Sequence, residues 1–71
     1  MIRDGTQVEW DWGDGTAEGK VTERHESRVT RTIDGSEITR DGSSDDPALV
    51  IEQDDGTTVI KLNSEVRRAD G

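Results

Sequence analysis

The chain has 71 residues, a net charge of −8 and no cysteine, and only 27% of its residues are hydrophobic. A chain this short forms one small domain that buries roughly 60% of its unfolded surface. The absence of cysteine excludes disulfides, thiolate nucleophiles and cysteine-based zinc sites. Residues 1–25 lack a signal-peptide core, and no apolar run approaches the roughly 18 residues of a membrane span. We therefore expect a single domain over residues 1–71, located in the cytoplasm, with no cofactor.

Asp-Gly pairs divide the chain into short segments. They occur at 4–5, 14–15, 34–35, 41–42, 55–56 and 70–71. Asp-Gly supplies the positive φ angles of tight hairpin turns, and the segments between the pairs show no long helical period. The pattern predicts an all-β chain of short strands.

The first strand is predicted over residues 7–12, with Val8, Trp10 and Trp12 on one face. The two tryptophans are the only aromatic residues of the chain. One interpretation makes them a binding platform, and another makes them the aromatic part of the core. A third buries one ring and leaves the other at the mouth of a barrel.

The second strand is predicted over residues 16–25, with Ala17, Gly19 and Val21 on its inner face. A glycine inside a strand weakens it unless a neighbouring group needs the space. We expect a tryptophan ring of the first strand to occupy the space beside Gly19.

A hairpin is predicted over residues 28–40, turning at Asp34-Gly35. A two-residue turn pairs Ile33 with Ser36, Arg31 with Ile38, and Val29 with Arg40. A four-residue loop would instead place Arg31 opposite Arg40, which is a destabilising like-charge pair. Neither face of this hairpin is fully apolar, so we expect it to protrude from the core as an excursion or to pack on the core weakly.

A second hairpin is predicted over residues 48–62, turning at Asp55-Gly56. This turn pairs Leu49 with Leu62, Ile51 with Ile60, and Gln53 with Thr58, all on one face. That face is the strongest predicted part of the core. Residues 63–69 then favour one helical or 3-10 turn and a short last strand.

About five short antiparallel strands, a protruding hairpin and a terminal 3-10 or helical turn indicate an all-β, SH3-like barrel. Three segments also resemble a known family: W-x-W-G-x-G-x-A-x-G-x-V at 10–21, S-x-D-D-P at 43–47 and K-L-x-S-E at 61–65. In this order they resemble the hypervirulence-associated proteins with a TUDOR domain. The resemblance implies a Tudor-like barrel without enzyme activity.

Tudor domains elsewhere bind methylated lysine or arginine in aromatic cages, and others bind nucleic acid or proteins. A cage surrounds its cation with several aromatic walls. Trp10 and Trp12 supply two, and the chain has no Phe or Tyr. The aromatic content therefore argues against binding of a methylated side chain.

Positive charge is concentrated in residues 24–40, which hold four arginines against three acidic residues. Arg31 and Arg40 share a hairpin face with apolar residues, a composition typical of protein interfaces. The same arginines could grip a phosphate backbone, or could simply pair with Glu23, Glu26 and Glu37. The candidate interaction surface comprises Trp10, Trp12, Arg28, Arg31, Ile33, Ile38 and Arg40.

No pattern of catalytic or metal-binding residues is found. His25 is the only histidine, and the acidic turns do not have the ligand spacing of a calcium-binding loop. We expect a non-enzymatic interaction module that binds a protein or a second copy of itself. Nucleic-acid binding through the 24–40 hairpin is the alternative, although the net charge of −8 repels phosphate backbones. The acidic, arginine-rich composition fits a salt-adapted protein and also an ordinary acidic one.

Overall fold

Seven strands and one 3-10 turn make up the computed structural model, which describes residues 2–69. The elements are β1 (Gln7–Trp12), β2 (Gly15–His25), β3 (Arg28–Ile33), β4 (Ser36–Asp41), β5 (Ala48–Glu52), β6 (Thr58–Leu62), the 3-10 turn (Asn63–Glu65) and β7 (Arg67–Arg68). The predicted all-β class, the terminal 3-10 turn and the short last strand are confirmed.

Five strands form one antiparallel sheet in the order β6-β5-β2-β1-β7, and β3 and β4 form a separate two-stranded sheet. Both β1 and β5 pair with β2 in antiparallel fashion. They therefore run parallel to each other, and their carboxyl ends lie at the same end of the sheet. The turn after β1 and the turn after β5 are thus brought to one end of the domain.

The β1–β2 hairpin has a two-residue turn at Gly13-Asp14. Trp12 pairs with Gly15, and Gly13 adopts a φ of 56° that favours glycine. Trp10 is 4% exposed, whereas Trp12, at the end of the strand, is 72% exposed. Of the three interpretations of the tryptophan pair, the structure matches the one with one ring buried and one ring open.

Gly19 lies against β5 and not against a tryptophan ring, so that expectation was wrong. A Cβ atom at Gly19 would lie 2.7 Å from the carbonyl oxygen of Glu52 and 2.7 Å from Cγ2 of Ile51. The pairing of β2 with β5 shifts register between Val21 and Glu23, and such an irregularity bends a strand. The glycine accommodates the close approach of the β5 backbone.

The β3–β4 hairpin has the predicted register. Ile33 pairs with Ser36 and Arg31 with Ile38. Both turn residues have positive φ, 52° at Asp34 and 80° at Gly35, as a type I′ turn requires. The hairpin forms its own sheet, and Val29 at its base is buried in the core.

The predicted register of the β5–β6 hairpin was wrong by one residue. Ile51 pairs with Val59, and Glu52 pairs with Thr58. The amide of Gly56 donates to the carbonyl of Gln53 at 2.9 Å, and Gly56 has a φ of 89°. This is a loop that a glycine closes in the left-handed conformation, and it is longer than a two-residue turn.

The shifted register divides the predicted single core face between two clusters. The first cluster contains Ile2, Val8, Trp10, Val21, Leu49 and Ile51, and the second contains Val29, Ala48, Val50 and Ile60. Leu62 packs against the second cluster, and Val59 packs against the first. Strand β5 is therefore buried on both faces, and the 28–40 hairpin covers one of them.

Two of the three family-like segments meet beside the 3-10 turn. The carboxylate of Asp46 accepts hydrogen bonds from the amide of Ser64 at 2.8 Å and from its hydroxyl at 2.7 Å. The carbonyl of Pro47 accepts a bond from the amide of Asn63 at 2.9 Å. The S-x-D-D-P segment thus forms hydrogen bonds to the first two residues of the 3-10 turn, which begins directly after Lys61-Leu62.

Candidate binding groove

A groove opens at the end of the sheet where β1 and β5 terminate. It encloses about 300 Å³. One wall is formed by Trp10, Trp12 and Ala17, which strand alternation places on the same side of the β1–β2 hairpin. Because β1 extends past the core, the ring of Trp12 stands at the open rim.

The opposite wall comes from β6 and from the loop between β5 and β6. Val59 and Lys61 alternate with Ile60 along β6 and point to the groove side, whereas Ile60 points into the second core cluster. Gln53 and Thr57 contribute at the loop. The lining is predominantly apolar and carries a few polar groups, which is the usual composition of a ligand-binding site.

Lys61 is the charged residue of the groove lining. Its Nζ lies 5.9 Å from the centre of the Trp10 ring, within the range of a cation–π contact. In the described part of the chain, residues 2–69, Lys61 forms no salt bridge, and the side chain of Gln53 forms no hydrogen bond. Both side chains therefore retain polar atoms that can contact a ligand.

The arginines of residues 24–40 lie next to carboxylates. The pairs are Arg24 with Glu26 (2.8 Å), Arg28 with Asp41 (2.7 Å), Arg40 with Glu65 (3.8 Å), and Arg31 with Glu23. The hydrogen bond with Asp41 raises the pKa of Arg28 above its ordinary value. Of the three carboxylates expected to pair with these arginines, Glu23 and Glu26 do so, whereas Glu37 forms no ion pair among the described residues.

Glu23 connects the end of β2 to the 28–40 hairpin. Its carboxylate lies 2.8 Å from Nε2 of His25 and accepts a hydrogen bond from Arg31. The hydrogen bond with His25, followed by the one with Arg31, lowers the pKa of Glu23 below its usual value. Glu23 therefore contacts both the only histidine of the chain and Arg31 of the hairpin.

The seven candidate residues from the sequence lie in two places. Trp10 and Trp12 line the groove, while Arg28, Arg31, Ile33, Ile38 and Arg40 belong to the hairpin. Ile33 packs against the second core cluster, and Ile38 is 37% exposed. The groove opens on the side of β6 that carries Val59, and the hairpin packs on the side that carries Ile60.

Sequence reasoning missed five groove residues: Ala17, Gln53, Thr57, Val59 and Lys61. The error in the β5–β6 register placed Val59 and Lys61 on the side away from Ile51, whereas the structure pairs Ile51 directly with Val59. The two turns come together because β1 and β5 both pair with β2, and no local sequence pattern indicated that arrangement.

Among residues 2–69, no three histidine or carboxylate side chains come together at a point that could hold a metal ion. No helix in the same range is long and apolar enough to cross a membrane.

The chain matches a known protein family. The model of the family described as "Hypervirulence associated proteins TUDOR domain" matches residues 5–66. No curated protein and no solved structure shows significant similarity to the chain.

Proposed function

We propose that this chain, which belongs to the family of hypervirulence-associated proteins with a TUDOR domain, is a non-enzymatic module that binds a partner protein through the groove beside Trp12. The observation that carries the proposal is the 72% exposure of the Trp12 ring at the rim of an apolar groove. Tryptophan is enriched among the residues that dominate binding energy at protein interfaces.

Two features of the charge distribution favour a protein partner over nucleic acid. The net charge of −8 repels a phosphate backbone at long range. The arginines of residues 24–40, which would have to contact phosphates, already lie beside carboxylates. A nucleic acid would have to displace those carboxylates before it could pair with the arginines.

The proposal assigns no catalytic step to the groove. Its polar groups are an ammonium, an amide and a hydroxyl, at Lys61, Gln53 and Thr57. The histidine that could act as a general acid or base, His25, is at the far end of β2 from Ala17 and contacts Glu23. The groove therefore offers surfaces for recognition, and its apolar walls supply the binding energy.

Affinity capture from a native lysate at native salt, after nuclease treatment, tests the proposal. The wild-type protein is compared with Trp12→Ser and with Ile38→Ser, which removes the other exposed large apolar side chain of residues 2–69. We expect Trp12→Ser to lose partner proteins that both other forms retain. Capture of the same proteins by all three forms, or a signal that nuclease abolishes, would contradict the proposal.

A further inference from the structure

The ammonium of Lys61 has no carboxylate partner within residues 2–69, although the chain carries 17 acidic residues. The arginines of the hairpin contrast with it, because each lies within salt-bridge distance of an aspartate or glutamate. Lys61 is partly buried beside apolar walls, where its charge is less screened than on an open surface. The groove therefore presents a single positive charge to whatever enters it.

A cationic ligand fits this groove poorly. Nζ of Lys61 already lies 5.9 Å from the centre of the Trp10 ring. A second ammonium or guanidinium on the same ring would stand close to a like charge. The groove therefore favours a group that is apolar, anionic or both.

The size of the groove limits how much of a partner can enter. A volume of about 300 Å³ is at the lower end of the range for ligand sites, so it suits one residue better than a folded segment. When the C-terminal residue of a protein is apolar, its side chain and its carboxylate are attached to the same Cα atom. These two groups match the apolar wall and the ammonium, which the structure places side by side.

We infer that the groove binds the C-terminal residue of the partner protein, with an aliphatic or aromatic side chain against Trp10 and Trp12 and the α-carboxylate on Nζ of Lys61. The inference rests on the proposed function and specifies the chemistry of its ligand. The amide of Gln53, which has no side-chain partner in the described residues, lies in the same lining and serves the second carboxylate oxygen or the last peptide group.

The turns at the mouth of the groove affect which residue can precede the C-terminal residue of the ligand. Asp14 lies two residues after Trp12, and Asp54 and Asp55 follow Gln53 at the same end of the sheet. None of these three carboxylates forms a salt bridge with another described residue. They repel a further negative charge on the ligand and favour lysine or arginine before its C-terminal residue.

Titration with short peptides tests the inference through the tryptophan fluorescence of the protein. The probes are acetyl-Gly-Lys-Leu with a free carboxylate, the same peptide as its C-terminal amide, and acetyl-Gly-Glu-Leu with a free carboxylate. A charge-assisted hydrogen bond contributes about 1.5–3 kcal/mol, so we expect the free acid to bind at least about tenfold more tightly than the amide. We expect the Glu peptide to bind more weakly than the Lys peptide.

Lys61→Gln is the decisive variant, with Lys20→Gln as its control, because Lys20 is the other lysine and lies outside the groove. Lys61→Gln should remove the preference for the free acid, and Lys20→Gln should retain it. The inference is overturned if acid and amide bind equally, if neither binds at millimolar concentration, or if the preference survives in Lys61→Gln. Tighter binding of acetyl-Gly-trimethyllysine-Gly-amide would also overturn it.

The proposed function is tested separately from this inference. If captured partner proteins are lost in Trp12→Ser but retained fully in Lys61→Gln, the groove binds a protein and the carboxylate contact is wrong. If neither variant loses them, the groove itself is wrong.

Discussion

Trp10 and Trp12 lie two residues apart on the same face of β1, yet Trp10 is 4% exposed and Trp12 is 72% exposed. Trp10 pairs with Ala17 in the middle of the β1–β2 hairpin, and Trp12 pairs with Gly15 next to the turn. One strand thus provides a core residue and a surface residue of the same type. The contributions of the two rings to stability can therefore be distinguished by experiment.

Replacing each tryptophan by alanine should give very different free energies of unfolding. Trp10→Ala removes a buried ring and should cost about 3–5 kcal/mol. Trp12→Ala removes a ring from the surface and should change stability by less than about 0.5 kcal/mol. Urea unfolding followed by circular dichroism measures both, and a loss of several kcal/mol in Trp12→Ala would contradict the assigned exposure.

Gly19→Ala should destabilise the fold, because its Cβ atom would lie 2.7 Å from the Glu52 carbonyl oxygen. The backbone of β5 would have to move, and overpacking of this kind costs about 1–3 kcal/mol. Gly15→Ala is the matched control, since a Cβ atom there meets nothing within 4 Å. Thermal unfolding should give a lower melting temperature for Gly19→Ala than for Gly15→Ala. Equal melting temperatures would show that β5 does not approach Gly19.

The hydrogen bonds between Asp46 and Ser64 should give a coupling free energy between the two residues in a double-mutant cycle. Contacting residues in one hydrogen-bond network couple by about 0.5–3 kcal/mol. A double-mutant cycle of Asp46→Ala and Ser64→Ala, read by urea unfolding, measures that value. Asp45→Ala combined with Ser64→Ala serves as the control and should be additive. Additive effects at Asp46 as well would mean that the two segments do not meet.

The ionisation of Glu23 should make the free energy of unfolding depend on pH. Hydrogen bonds from His25 and Arg31 hold its pKa below the usual 4.5 in the folded protein. This stabilisation is complete above the pKa of the unfolded chain and is lost as the pH falls through the lower, folded-state pKa.

Urea midpoints between about pH 3 and pH 7 should therefore fall less steeply on acidification in Glu23→Gln than in the wild type. Glu37→Gln, also on the hairpin side, is the control, because Glu37 has no ion pair among the described residues. Parallel pH profiles for the wild type and Glu23→Gln would contradict the assigned contact.

Turn chemistry explains which hairpin register could be predicted. Asp34-Gly35 fits a two-residue turn with two positive φ angles, and the alternative would have opposed two arginines, so the β3–β4 register followed from the sequence. Asp54-Asp55-Gly56 fits both a two-residue turn and a longer loop closed by Gly56. Local sequence did not distinguish these, and the burial of β5 on both faces depends on the whole fold.

The undetermined register of the β5–β6 hairpin also limited the prediction of the groove residues. Trp10 and Trp12 were found because strand periodicity and their isolation among the aromatics single them out. Lys61 was missed because its direction depends on the β5–β6 register. The arginines of residues 24–40 were identified as a charge cluster, and pairing with Glu23 and Glu26 was one of the alternatives from the sequence. The pairs of Arg28 with Asp41 and of Arg40 with Glu65 depend on the folded chain.

The most direct test of the groove is nuclear magnetic resonance of the ¹⁵N-labelled protein titrated with the partner recovered by affinity capture. The chain has two tryptophans and hence two indole N–H signals. We expect the Trp12 indole signal to shift together with the amides of Gln53, Thr57 and Val59. Shifts confined to residues 28–40, with the Trp12 signal unchanged, would contradict the groove as the binding surface.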